Sequence, residues 1–144
     1  MMKQADLDDI EIVAEMAFLL WPDHDISDLK FELSNYISTD NGVVFICFCE
    51  TVPVGFAQCS LRKDYVEGTQ SSPVGYLEGI FVKEDYRKRG IGNKLLIQCE
   101  EWAKSKGCSE FASDCELNNT ESFKFHLRLG FEETNRIICF KKNL

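Results

Sequence analysis

A chain of 144 residues suits one hydrophobic core and is short for two. With 44% hydrophobic residues, eleven Phe, four Tyr and two Trp, it is too apolar to remain unfolded, yet no run reaches the roughly 18 apolar residues that cross a bilayer. Sixteen Lys and Arg against 24 Asp and Glu leave a net charge of −8, which argues against nucleic acid, whose binders present a basic face, and favours cations at long range.

The opening Met1-Met2-Lys3-Gln4-Ala5-Asp6 has no signal-peptide apolar region, so a cytoplasmic protein with no membrane partner is expected. Residues 6–19 carry Leu7, Ile10, Val13, Ala14, Ala17 and Phe18 at helical spacing, with Asp6 as N-cap. Trp21-Pro22-Asp23-His24-Asp25 breaks the pattern, with Asp23 and Asp25 reading as helix-capping or solvated residues, and 27–38 reads as a second helix with Leu29, Leu33, Tyr36 and Ile37 inward and Ser27 as a candidate cap. Asn41-Gly42 turns the chain into a strand over Val43–Cys49; Glu50-Thr51-Val52-Pro53 reads as a hairpin connection, and Val54–Arg62 returns. After a polar loop ending at Pro73, Val74–Val82 is a third strand. A helix then runs from Gly90-Ile91-Gly92 to about Lys106, with Ile91, Leu95, Leu96, Cys99, Trp102 and Ala103 on one face and Gly107 as its stop. Glu110–Cys115 reads as a strand, Asn118-Asn119-Thr120 opens a helix ending at Leu129-Gly130, and Phe131–Lys142 supplies one or two last strands. This order predicts an α/β fold with a mixed sheet. The seven cysteines are odd in number and contain no C-x-x-C pair; they read as small buried hydrophobes in a reducing compartment, with no metal site.

The most informative segment is Tyr76-Leu77-Glu78-Gly79-Ile80-Phe81-Val82, followed by R-x-x-G-x-G (Arg87, Gly90, Gly92) and at once by a helix. The first turn of a helix carries N–H groups without internal partners and the positive end of the macrodipole, and glycines let an anion approach the backbone. It is neither a dinucleotide fingerprint nor a P-loop. Alone, it also describes a solvated basic turn. In order with the later Leu129-Gly130-Phe131, it resembles the coenzyme A pyrophosphate loop of the GCN5-related N-acetyltransferases, a likeness that spans roughly residues 5–143. The resemblance implies a single N-acetyltransferase domain over residues 1–144, with a mixed, mostly antiparallel sheet flanked by helices, and acetyl-CoA as cosubstrate. It implies that the backbone of Ile80, Phe81 and Val82 pairs with the pantetheine arm. Amides of Arg87, Lys88, Arg89, Gly90, Ile91 and Gly92, with Asn93, would hold the pyrophosphate, and Asn119 would touch the arm from the other side.

Amide formation from a thioester needs a neutral amine, an oxyanion stabiliser and a proton for the thiolate. Glu78 is the candidate base; strict alternation would put it on one strand face with Ile80 and Val82, where an unpaired carboxylate is costly to bury. The alternatives are a glutamate facing water or one that holds the ammonium while water takes the proton. Backbone N–H groups near Ile80–Val82 would stabilise the oxyanion. Many family members carry a tyrosine as acid four residues before the Leu-Gly-Phe glycine; here that position is His126, and imidazolium can serve, although a packed or solvent-facing histidine is as consistent.

Four further strings concern the acceptor. Trp21-Pro22-Asp23-His24-Asp25, Asp64-Tyr65-Val66-Glu67-Gly68-Thr69-Gln70, the strand around Glu78, and Glu110-Phe111-Ala112-Ser113-Asp114 together resemble the aminoglycoside 6′-N-acetyltransferases, as does the closing Phe140-Lys141-Lys142-Asn143. That likeness implies an aminoglycoside substrate, antibiotic resistance, and a drug pocket lined by Trp21, His24, Tyr65, Glu78 and Asp114. Asn135 stands where relatives carry a drug-contacting acid. It also implies a homodimer with C-terminal strands near the interface. Acetylation of a polyamine or protein lysine, and a coenzyme A-binding regulatory module without catalysis, are the other readings of the same residues.

Overall fold

The computed structural model describes residues 1–144. The apolar runs form three long strands, β2 (Gly42–Cys49), β3 (Val52–Arg62) and β4 (Val74–Val82), flanked by the short β1 (Met2–Gln4) and β5 (Phe111–Ser113). They lie in chain order in one sheet. The pairs from β1 to β4 are antiparallel, and β5 runs parallel to β4. The parallel pair follows from the crossover: helix α3 (Ile91–Ser105) carries the chain back across the sheet between them. Helices α1 (Ile10–Leu20) and α2 (Ile26–Ile37) cover the opposite face, and α4 (Thr120–Arg128) follows β5.

Both faces of the sheet are covered, which is why its strands read as nearly continuous apolar runs. In β2, Val44 and Ile46 pack with Phe56 against Val13, Ala14, Met16 and Ala17 of α1 and Leu29 and Leu33 of α2. Their neighbours Val43, Phe45 and Cys47 turn the other way, joining Ala57, Cys59 and Leu77 under Leu95, Leu96 and Cys99 of α3. Burying such a side chain fully contributes about 1.5–3 kcal/mol, so the two layers hold the sheet rigid between them.

The expected cap at Asp6 is present: its carboxylate accepts from the Asp8 amide at 2.9 Å, and Asp9 answers by accepting from the Asp6 amide at 2.9 Å. Asp9 is 5% exposed and pairs with Lys3 Nζ at 2.7 Å. Burial pushes its carboxyl up, but the hydrogen bonds from Lys3 and the Asp6 amide, with the Lys3 charge, outweigh that and hold it below its ordinary value.

Several expectations are corrected. Of the two candidate caps of α2, Asp25 and not Ser27 serves, accepting from the Ser27 amide at 2.8 Å and the Asp28 amide at 3.2 Å, because a carboxylate one residue before the helix reaches its free N–H groups. Leu7 and Phe18 face outward, and Met16 takes the inward place. Cys49, Cys115 and Cys139 are exposed, against the reading of the cysteines as buried hydrophobes. Strand β1 carries no apolar alternation and was not expected. The expected strands over Phe131–Lys142 are absent, leaving Ile137, Ile138 and Phe140 exposed. Propensity alone does not make a strand, and the three-residue β5 offers little edge for another to pair with.

Asp9→Ala should lower stability by about 1–2 kcal/mol in urea unfolding at neutral pH. Since the folded carboxyl lies below its unfolded value of about 3.9, this contribution is present above that pH and lost as the pH falls through the lowered value. The variant and the wild type should therefore converge in acid.

Candidate functional site

Strand β4 pairs with β3 along its length but with β5 only from Gly75–Leu77 to Phe111–Ser113. Beyond Leu77 the two strands part, so one edge of Glu78–Val82 has no strand partner. On the other edge the register slips at the same place: Cys59 faces Leu77 and Gln58 faces Gly79, which makes Glu78 the extra residue of a β-bulge. The bulge reverses the alternation. Leu77 lies on the α3 face, yet Ile80 and Val82 also pack on that face, and Phe81 packs on the α1–α2 face. Glu78 joins the α1–α2 side, away from Ile80 and Val82, because the extra residue absorbs one reversal of direction.

There it lines a cleft of about 280 Å³ with Trp21, His24, Leu29, Glu32, Leu33, Tyr36 and Gln58. Trp21 is held edge-on by Phe56 at 6.3 Å between ring centroids and lies over Gly79, where a Cβ would come within 2.7 Å of the indole. The expectation of an unpaired carboxylate is corrected. Glu78 accepts from Ser60 Oγ at 2.6 Å and from Arg62 Nη2 at 3.0 Å on both oxygens, and its side chain is 27% exposed. The Arg62 guanidinium also lies 3.5 Å from the centre of the Tyr76 ring, and the Tyr76 hydroxyl donates to Asp114. Burial first, then the hydrogen bond to Asp114 and its charge, raise the Tyr76 hydroxyl above its ordinary value, so it remains a donor. The hydroxyl of Tyr36 is buried without a hydrogen-bond partner, and burial likewise raises it.

On the other side of the fork lies the glycine loop. Lys88 (φ 61°) and Gly90 (φ 77°) are both left-handed, with Gly90 at the N-cap of α3. The first intrahelical bond runs from Lys94 to the Gly90 carbonyl at 3.1 Å, leaving the amides of Ile91, Gly92 and Asn93 outside the helix ladder. Arg87 Nε donates to the Val82 carbonyl at 2.9 Å and Arg89 Nη2 to the Asp85 carbonyl at 3.0 Å, so both guanidinium groups shape the loop. Across the gap, a Cβ on Gly92 would meet the Phe125 ring of α4 at 3.0 Å. An open strand edge and an acidic aromatic cleft thus meet at one bulged glutamate, and the glycine loop follows the same strand.

The sequence pattern that defines the acetyltransferase (GNAT) family matches residues 10–131. The chain belongs to this family. It is 44% identical over 127 residues to the aminoglycoside N(6')-acetyltransferase type 1 of Acinetobacter genomosp. 13, spanning 88% of this chain and 86% of that one. Among solved structures, the complex of AAC(6')-Iy with the bisubstrate analogue CoA-S-monomethyl-acetylneamine superposes with a TM-score of 0.96 at 38% identity, covering 100% of this chain and 98% of that one. The aminoglycoside 6'-N-acetyltransferase AAC(6')-Ih from Acinetobacter baumannii does so with a TM-score of 0.94 at 38% identity and the same coverage.

Within this GNAT fold, Trp21, His24 and Glu78 share the cleft. Tyr65 is 76% exposed on the loop after β3. Asp114 reaches Glu78 only through Tyr76 and Arg62. Asn135 donates to Glu67 at 2.7 Å, pinning the C-terminal segment to that same loop. Asn119 caps α4, accepting from the Ser122 amide at 3.1 Å. His126 Nε2 lies 2.8 Å from Ser113 Oγ, and Nδ1 lies 2.7 Å from the Ser122 carbonyl. Sequence reasoning missed Gln58, Ser60 and Arg62. Their signal was there: polar residues at every second place in an otherwise apolar strand, in phase with the inward Phe56.

Gly79→Ala should push Trp21 off the cleft floor, with a loss of about 1–3 kcal/mol from overpacking. A lowered urea midpoint with shifted tryptophan emission checks this.

Proposed function

We propose that this protein transfers the acetyl group of acetyl-CoA to the 6′-amine of aminoglycoside antibiotics and so confers resistance to them. The observation that carries the reading is the bulge at Glu78, which presents a hydrogen-bonded carboxylate to an acidic aromatic cleft beside an open strand edge, in a chain 44% identical to an aminoglycoside N(6')-acetyltransferase. An aminoglycoside is a polycation with apolar sugar faces. Glu78 and Glu32 suit its ammonium groups, and Trp21, Tyr36 and His24 suit its rings.

In this reading the pantetheine arm adds to the free edge of Ile80, Phe81 and Val82, as a strand would, and the pyrophosphate rests on the amides from Arg87 to Gly92 with Asn93. Asn119 faces the arm from α4. The 6′-ammonium docks on Glu78, which accepts its proton; Arg62 and Ser60 keep that carboxylate aimed while the site is empty. The amides of Ile80 and Val82, which alternation turns to the edge away from β3, stabilise the oxyanion. Tyr65, Asp114 and Asn135 contact outlying parts of the drug from the cleft rim. His126 supplies the proton for sulfur.

The exposed Ile137, Ile138 and Phe140, in a segment without strand partners, support association with a second copy as a homodimer. No helix is long and apolar enough to cross a membrane.

The test is coenzyme A thiol release with two aminoglycosides that differ in carrying an amine or a hydroxyl at the 6′ carbon. Release is expected only with the amine; equal release would move the acetylated position to another ring. Glu78→Gln should lower kcat by at least about 10²-fold, and a rate near wild type would refute the base. Sedimentation at micromolar concentration should give twice the chain mass.

A further inference from the structure

We propose that Ser113 is the group that hands the proton to the departing thiolate, and that His126 acts through it. This rests on the reading of the fork between β4 and β5 as the thioester site and on His126 as the proton source.

Ser113 is the last residue of β5 to pair with β4, opposite Leu77, at the point where the strands part. Its hydroxyl lies 3.2 Å from the Leu77 carbonyl, immediately before the bulged Glu78. A thioester entering along the Ile80–Val82 edge, with its carbonyl carbon within reach of an amine docked on Glu78, ends at this hydroxyl. His126 is held one step back. Its Nδ1 faces the Ser122 carbonyl at 2.7 Å, and a carbonyl only accepts, so Nδ1 carries a hydrogen. The ring packs against Phe131 at 5.2 Å and Phe125 at 6.2 Å between centroids, which fixes its plane and leaves Nε2 directed at Ser113, 2.8 Å away. Phe131 of Leu-Gly-Phe therefore has a second use, as a wall for the imidazole.

The hydrogen bonds close in both proton states. With imidazolium, Nδ1 donates to the Ser122 carbonyl, Nε2 donates to Ser113 Oγ, and Ser113 donates to the Leu77 carbonyl. With neutral imidazole, the Ser113 hydroxyl rotates and donates to Nε2 instead. One hydroxyl rotation thus separates the charged and discharged forms. In the transfer, the carbon–sulfur bond breaks and its electron pair goes to sulfur. Sulfur takes the Ser113 proton as Ser113 Oγ takes that of His126 Nε2. The neutral imidazole regains a proton from solvent, and the amine's protons leave by way of Glu78. A serine hydroxyl alone is too weak an acid for the task, and a clamped imidazole alone points at the serine; the pair supplies both acidity and reach.

The test compares wild type, Ser113→Ala, Ser113→Thr, His126→Ala and the Ser113→Ala/His126→Ala double variant, with acetyl-CoA and a 6′-amino aminoglycoside. Ser113→Ala is expected to lower kcat at least about tenfold with both KM values unchanged, His126→Ala to match it, and the double variant to be no slower than the slower single, since the two act as one unit. Ser113→Thr keeps the hydroxyl and should restore kcat. Additive losses, a kcat loss that threonine does not rescue, or a KM for acetyl-CoA that rises in step would overturn the relay. So would wild-type kcat in Ser113→Ala: if His126→Ala is then slow, histidine donates directly and the reading of His126 stands, whereas if both are fast, His126 is not the acid either.

Discussion

A parallel strand pair that holds for three residues and then separates is the constraint on which the rest of this molecule depends. From Gly75 to Leu77, β4 is an interior strand with a partner on each edge. From Glu78 onward one edge must find other partners, since unpaired backbone polar groups away from water are costly. The bulge at Glu78 falls at this transition and rotates the strand, so that a carboxylate leaves the sheet on one side while Ile80 and Val82 remain packed against α3 on the other. An extended ligand carrying amide groups would suit that edge, because it offers the same groups a neighbouring strand would.

Charge in the cleft is arranged with more care than a net charge of −8 suggests. Glu78 is bonded by Ser60 and Arg62, Arg62 rests on Tyr76, and Tyr76 donates to Asp114. One arginine thus links two acids. Such a chain holds an otherwise isolated carboxylate in one orientation against a cation already in place. Uniform acidity would bind any polycation; an internal cation limits which ammonium groups find a free partner.

The C-terminal segment shows the same logic at the molecular surface. It has the apolar content of a strand and is tied to the loop after β3 through Asn135 and Glu67, yet no strand of this chain completes it. Its Ile137, Ile138 and Phe140 are large apolar side chains left exposed.

Periodicity and end signals in the sequence determined both helix layers, the three long strands, the glycine loop and the family resemblance, because these are local: a helix stripe, an apolar run or a cap is written within a few residues. Trp21, His24 and His126 were legible as candidates only through that resemblance, and Glu78 through both the resemblance and its place in an apolar strand. What lay across the fold was decided by tertiary structure. Alternation put Glu78 on the face of Ile80 and Val82; a register slip against β3, a property of two strands, put it on the other. Arg62, sixteen residues earlier, and Ser113, thirteen before His126, became neighbours through hydrogen bonds between elements distant in the chain. The closing apolar run formed no strand because a strand requires an edge to pair with, and whether one is free depends on every other strand in the sheet.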